Sequence, residues 1–80
     1  MKPNSTAFKI VRILLKSNKK MSSQEIADEI GIVPKQVTPF MRYQVGRGSV
    51  RKELFNRRVH YFIPNHVKES VKKYIKQYEN

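Results

Sequence analysis

The stretch from Glu25 to Met41, EIADEIGIVPKQVTPFM, constrains the fold more than any other part of the chain. Two helical patterns meet in it at a glycine. Ser22-x-x-Glu25 announces the first of them as a capping box, in which hydroxyl and carboxylate each satisfy a backbone N–H that a helix start leaves unpaired. Ile26, Ala27 and Ile30 form its apolar face, and Gly31 ends it, because glycine adopts the left-handed conformation with little strain. The second pattern runs from about Pro34 to Val45 and buries Val37, Phe40 and Met41, with Gln44 completing the face; Gly46-Arg47-Gly48 stops it.

With Val37 and Met41 turned inward, about 100° per residue puts Lys35, Pro39 and Arg42 on the opposite side, flanked by Gln36, Thr38 and Tyr43. That side holds cations and no carboxylate. Pro34 suits the first turn, where an N–H has no intrahelical partner. Pro39 is less easily placed: in a helix interior it removes a bond to the Lys35 carbonyl and crowds it, at roughly 3 kcal/mol. Two geometries accommodate it, a kinked helix from Pro34 or a loose turn followed by a helix capped by Thr38 with Pro39 as its first residue. The second is slightly favoured.

A first helix begins at Ser5 or Thr6 and runs to about Ser17, with Phe8, Val11, Leu14 and Leu15 at helical spacing and Ile10 and Ile13 widening the stripe. Asn18-Lys19-Lys20 ends it as a polar turn. Beyond the central stretch, SVRKELF and RRVHYFIP read as a β-hairpin turning at Asn56 and Arg57. Val50, Leu54, Val59, Tyr61 and Ile63 alternate so as to keep one face on the core, while Arg51, Lys52, Arg57 and Arg58 make the hairpin basic. After Pro64, Asn65 is placed to cap a last helix with Val67, Val71, Tyr74 and Tyr78 in a stripe and Ile75 beside it. Lys68, Lys72, Lys73 and Lys76 form its solvated side.

Eighty residues make one domain, and a chain this short buries only roughly 60% of its unfolded surface, so stability is expected to be marginal. The absence of cysteine excludes disulfides, cysteine-ligated zinc and thiol catalysis, and two histidines are too few for a metal site. No cofactor, metal or small-molecule ligand is expected. The longest apolar run, Ile13-Leu14-Leu15, is far too short to span a bilayer, and the N-terminus lacks the plan of a secretory signal. A soluble, cytoplasmic protein is expected. Seventeen Lys and Arg against six Asp and Glu give a formal charge of +11, which points to a polyanionic partner, nucleic acid ahead of an anionic membrane surface.

The order helix, helix, turn, helix, hairpin, helix resembles the winged helix-turn-helix DNA-binding fold, closest in plan to MarR-like and ArsR-like transcriptional regulators. The resemblance covers roughly residues 6–63. Its most specific part is the spacing of Ala27, Gly31, Val37 and Phe40, where a small residue lets two helices approach, glycine makes the bend and two apolar residues press the helices together. It implies a mainly α fold with a small two-stranded wing: an arm at 1–4, a DNA-binding domain at 5–63 and a C-terminal helix at 64–80.

Carried over by position, the resemblance places Lys35, Gln36, Thr38, Pro39 and Arg42 toward bases and nearby phosphates in the major groove, and Arg57 and Arg58 at the wing tip on backbone or minor groove. Arg42 suits guanine or a phosphate equally. Arg47, Arg51 and Lys52 suit the backbone, and Tyr43 either stacks on a base or stays on the helix surface. Val67, Val71, Tyr74, Ile75 and Tyr78 either form a homodimer seam, the reading preferred, or close on the first helix. The expected function is sequence-specific binding of double-stranded DNA by a repressor without a catalytic step. The alternatives are a replication, partition or architectural DNA protein, and a winged-helix protein-interaction module.

Overall fold

Ser22 sits where strand becomes helix, and both neighbours depend on it. In the computed structural model, which describes residues 5–17 and 19–77, it closes strand β1 (Met21–Ser22) and caps helix α2 (Ser23–Ile30). The Glu25 N–H donates to Ser22 Oγ at 3.2 Å, and the Ser22 N–H donates to Glu25 Oε1 at 3.0 Å, so the expected capping box is complete. Those bonds favour the charged carboxylate: the Ser22 backbone bond, more than the Ser22 hydroxyl or nearby Lys19, holds Glu25 below its ordinary value of 4.5 against a smaller opposing effect of burial.

Helix α1 (Thr6–Lys16) starts where its serine predicts, with the Phe8 N–H donating to Ser5 Oγ at 3.2 Å, and ends as the Ser17 N–H reaches the Ile13 carbonyl at 2.9 Å. Gly31, at φ 84°, ends α2, and the N–H groups of Gly31 and Ile32 both donate to the Ala27 carbonyl, at 2.8 and 3.0 Å. The chain then re-enters helix as α3 (Pro34–Arg47).

Here the structure departs from the slightly favoured reading of the sequence. Helix α3 is continuous from Pro34, with Pro39 in its interior rather than at its start. The buried contacts of Val37 and Met41, both fully enclosed, hold the helix through the position where proline removes a bond. Gly46 is also helical, and Gly48, at φ 83°, is the residue that terminates α3 by donating back to Gln44 and Val45.

The hairpin consists of β2 (Arg51–Phe55) and β3 (Arg58–Phe62), with Asn56 and Arg57 both at positive φ, 50° and 64°. A two-residue turn of that hand matches the twist of antiparallel strands. A third strand, unforeseen in the sequence, extends the expected pair: β1 pairs with β3, Met21 opposite Tyr61 and Ser22 opposite His60, giving the order β1-β3-β2. The pairs Lys52–Tyr61 and Leu54–Val59 fix the register of β2 on β3.

Phe8, Ile10, Ile26, Val37, Met41 and Val50 are the largest fully enclosed side chains, so α1, α2, α3 and the foot of the hairpin share one core. Three expectations fail at its edges. Leu54 and Val59 lie on the same face as Val50, Tyr61 and Ile63, but they are 71% and 40% exposed, because the hairpin outruns the core. Asn65 is the first residue of helix α4 (Asn65–Lys76), and Pro64 is its cap, without a side-chain bond. Ile75, expected at a dimer seam, is buried in the chain's own core, and α4 packs on α1. Tyr78 and the arm at 1–4 lie outside the described residues.

Candidate nucleic-acid interface

The amphipathic plan of α3 turns its polar side outward as expected: Lys35, Gln36, Pro39, Arg42 and Tyr43 are exposed and Thr38 is half-buried. The helix start is built without a side-chain acceptor at Val33. Valine has none, so only half of a capping box forms, the Val33 N–H donating to Gln36 Oε1 at 3.3 Å. A base contact through that oxygen would cost α3 its cap. Thr38 Oγ1 donates to the Pro34 carbonyl at 3.3 Å, which engages the hydroxyl one turn back along the helix, next to the proline that lacks an N–H.

The approach of α3 to the hairpin decides whether the cations act together. Thr38, Arg42 and Val45, from one flank of α3, line a hollow of about 150 Å³ with Lys52 and Tyr61 from the hairpin. Arg42 and Lys52 therefore border the same depression. The pleat separates the other hairpin cations, since alternate residues point to opposite faces. Lys52, Leu54, Val59 and Tyr61 share the face toward α3, whereas Arg51, Glu53, Phe55, Arg58, His60 and Phe62 share the reverse face. Arg57 lies in the turn between them. On the other flank of α3, the Arg47 guanidinium lies over the Tyr43 ring, 5.6 Å from its centroid.

Carboxylates are kept off this surface. No Asp or Glu occurs in α3. On the reverse face of the hairpin Glu53 is paired with Lys20, and Glu25 with Lys19 at 3.5 Å. Lys20 also lies over the Phe62 ring, 4.6 Å from its centroid. Sequence reasoning missed this group, since Lys20 and Glu53 are 33 positions apart and no spacing links them. It also missed the exposed tip formed by Leu54, Phe55 and Val59. Alternating strand residues gave a correct face there without showing where the core stops.

Among the described residues, no group of three or more His, Cys, Asp or Glu is arranged to hold a metal, and no helix is long and apolar enough to cross a membrane. His60 Nδ1 lies 3.1 Å from the Arg58 carbonyl, and its ring meets Phe55 edge-on, which is a structural use of the side chain.

The backbone arrangement has known counterparts. A point mutant of ZitR from Lactococcus lactis superposes with a TM-score of 0.75 at 18% identity, over 94% of this chain and 52% of that one. Reduced HlyU of Vibrio cholerae matches at 0.73 and 17% identity, over 96% and 80%. Sso10a-2, a DNA-binding protein from Sulfolobus solfataricus, matches at 0.66 and 20% identity, over 94% and 79%. The fold is a winged helix-turn-helix. The β2–β3 hairpin is its wing, and α2 and α3 are its helix-turn-helix. At these identities the likeness establishes fold alone, and the chain spans about half the length of ZitR. No family model and no curated protein sequence matches the chain.

Proposed function

We propose that this protein is a sequence-specific double-stranded-DNA-binding regulator of transcription, acting as a repressor by occupying its site. The observation that carries this reading is the single hollow shared by Arg42 of α3 and Lys52 of the wing. A helix presenting Lys35, Pro39 and Arg42 fits the major groove, while a wing with Arg57 at its turn reaches backbone or minor groove. The winged-helix neighbours include one described as a DNA-binding protein, which favours the same reading. The net charge of +11 supplies an attraction to phosphate that is independent of sequence.

Roles divide by position. Arg42, exposed on the flank of α3 next to the wing, donates two bonds to guanine O6 and N7, a contact that discriminates by roughly 1–3 kcal/mol. Lys35 and Lys52 meet phosphates beside it, Thr38 keeps its hydroxyl on the Pro34 carbonyl and lines the hollow, and Gln36 serves the helix start first and the adjacent base second. Arg51, Arg58, Arg47 and Tyr43 flank the groove and set orientation without reading sequence. Binding and release complete the task, with no bond made or broken.

A two-fold dimer is part of the proposal. Ile75 is enclosed by the core, and Val67, Val71 and Tyr74 pack against that core but stay half-buried, so the seam for a second copy is the part of these three side chains that α4 leaves uncovered. Such a dimer spaces two half-sites about one helical turn apart, roughly 34–36 Å. Its mass in solution would be twice the 9.5 kDa of the chain.

The test is a selection of bound duplexes from a random pool with the wild-type protein and Arg42→Ala. The expected result is a defined, two-fold-related consensus that loses information at particular guanines in the variant. Recovery of an unenriched pool, or an unchanged consensus in the variant, would refute the assignment.

A further inference from the structure

We propose that the apolar tip of the wing is a wedge that enters the minor groove and bends the DNA, an inference that rests on the DNA-binding reading above. Leu54 is 71% exposed, Phe55 61% and Val59 40%. They form one tip: Leu54 and Val59 are opposed across the two strands, and Phe55 is the last residue before the turn. The foot of the wing is anchored by Val50, Tyr61 and Ile63, all buried, and the tip projects beyond the core.

The setting indicates what covers it. Arg57 occupies the turn, Arg58 lies opposite Phe55, and Lys52 lies on the same face as Leu54. The tip carries leucine and valine on the face of Lys52, beside Arg57 of the turn, and phenylalanine on the reverse face with Arg58 and the Lys20-paired Glu53, and such an apolar edge flanked by cations suits a polyanion with apolar walls. The minor groove offers this, with phosphates along both rims, deoxyribose along the sides and base-pair faces wherever a step opens. Apolar side chains inserted there unstack a step and kink the duplex away from the protein, and flexible pyrimidine–purine steps yield most easily.

Two other occupants fit less well. Strand β2 is a free edge of the sheet, but a second copy would bring the same Arg51, Lys52, Arg57 and Arg58 against themselves. An anionic membrane would accept cations and an apolar tip together. It would not use the face that Leu54 shares with Lys52, whose hollow continues to Arg42 on α3.

The experiment measures bending by energy transfer between the ends of a labelled duplex carrying the selected site, at saturating protein, with affinity read over a salt series. The variants are Leu54→Ser, Leu54→Ser with Phe55→Ser, and Arg57→Ala. Leu54 is 71% exposed, so Leu54→Ser keeps the wild-type melting temperature; the double variant also loses the edge-on contact of Phe55 with His60, so its folding is checked first and the bend is measured below its melting transition. The wild type is expected to bend the site by roughly 20–90°. The double serine variant loses most of that bend and several-fold in affinity while its salt dependence is unchanged, since no charge is removed. Arg57→Ala does the reverse, keeping the bend at saturation with a shallower salt dependence.

A full bend in the double serine variant, or a wild-type complex that binds without bending, overturns the wedge and leaves the DNA reading standing. Failure to bind any duplex overturns both. Two further outcomes replace the wedge with another use of the tip. One is a fall in solution mass on Leu54→Ser. The other is loss of binding to phosphatidylserine vesicles with the DNA bend intact.

Discussion

Arg57 holds a conformation that costs a non-glycine residue energy, and it does so at the outermost point of the wing. With φ at 64° beside Asn56 at 50°, its position is one where glycine is the least strained choice. Strain of this kind is worth keeping only where the side chain is used. Arg57→Gly is therefore expected to raise stability against urea by about 1 kcal/mol while weakening DNA binding. A variant that is no more stable, or that binds as the wild type does, contradicts this account of the turn.

The capping box provides a second test at the same scale. Ser22→Ala should lower stability by about 1 kcal/mol, as for other N-cap serines. Since bonding from Ser22 holds the folded Glu25 carboxyl below 4.5, that part of the stability is present above 4.5 and is lost as pH falls through the folded value. Glu25→Gln keeps an acceptor oxygen without the titration. Its stability should fall less steeply than that of the wild type as pH drops below 4.5, a difference readable by circular dichroism.

Among the elements, α3 carries the largest conflict between local preference and tertiary use. Pro39 removes a backbone bond from a helix that Val37 and Met41 hold in place from the buried side. Pro39→Ala should stabilise the fold, by up to about 3 kcal/mol if the helix regains a regular interior. Because Pro39 faces outward, the same change should alter which duplexes are selected. Chemical denaturation and selection together check both halves.

This conflict also marks what could be read in advance. The capping box, the Gly31 stop and the Asn56-Arg57 turn are local devices whose residues announce them. So is the outward side of α3, since one helical period fixes it. The course of α3 through Pro39 was not legible, because packing outweighed propensity there. Strand β1 is too short to show periodicity, and its pairing with β3 spans the chain. The faces of β2 and β3 were legible from alternation. Where their apolar residues leave the core was not, because alternation says nothing of how far a strand projects. The cap of α4 fell on Pro64 instead of Asn65, a shift of one residue that composition does not resolve.

Over the whole molecule, the arrangement separates charge. Among the described residues, the acidic ones are confined to α2, to the reverse face of the wing beside Lys19 and Lys20, and to α4, so the outward side of α3 and the near face of the wing, where Lys52 lies, carry no carboxylate. One chain of this size has little core to spare, and binding stabilises whichever state it selects, so a saturating duplex should raise the melting temperature. The central claim is that Arg42, Lys52 and Arg57 grip one duplex together. The most direct measurement is duplex affinity across a salt series for the wild type and for Arg42→Ala, Lys52→Ala and Arg57→Ala. The account predicts a steep linear fall of log affinity with log salt, by about 0.9 for each phosphate neutralised, and a shallower slope in the Lys52 and Arg57 variants. A flat salt dependence in the wild type, or three variants indistinguishable from it, would contradict the account.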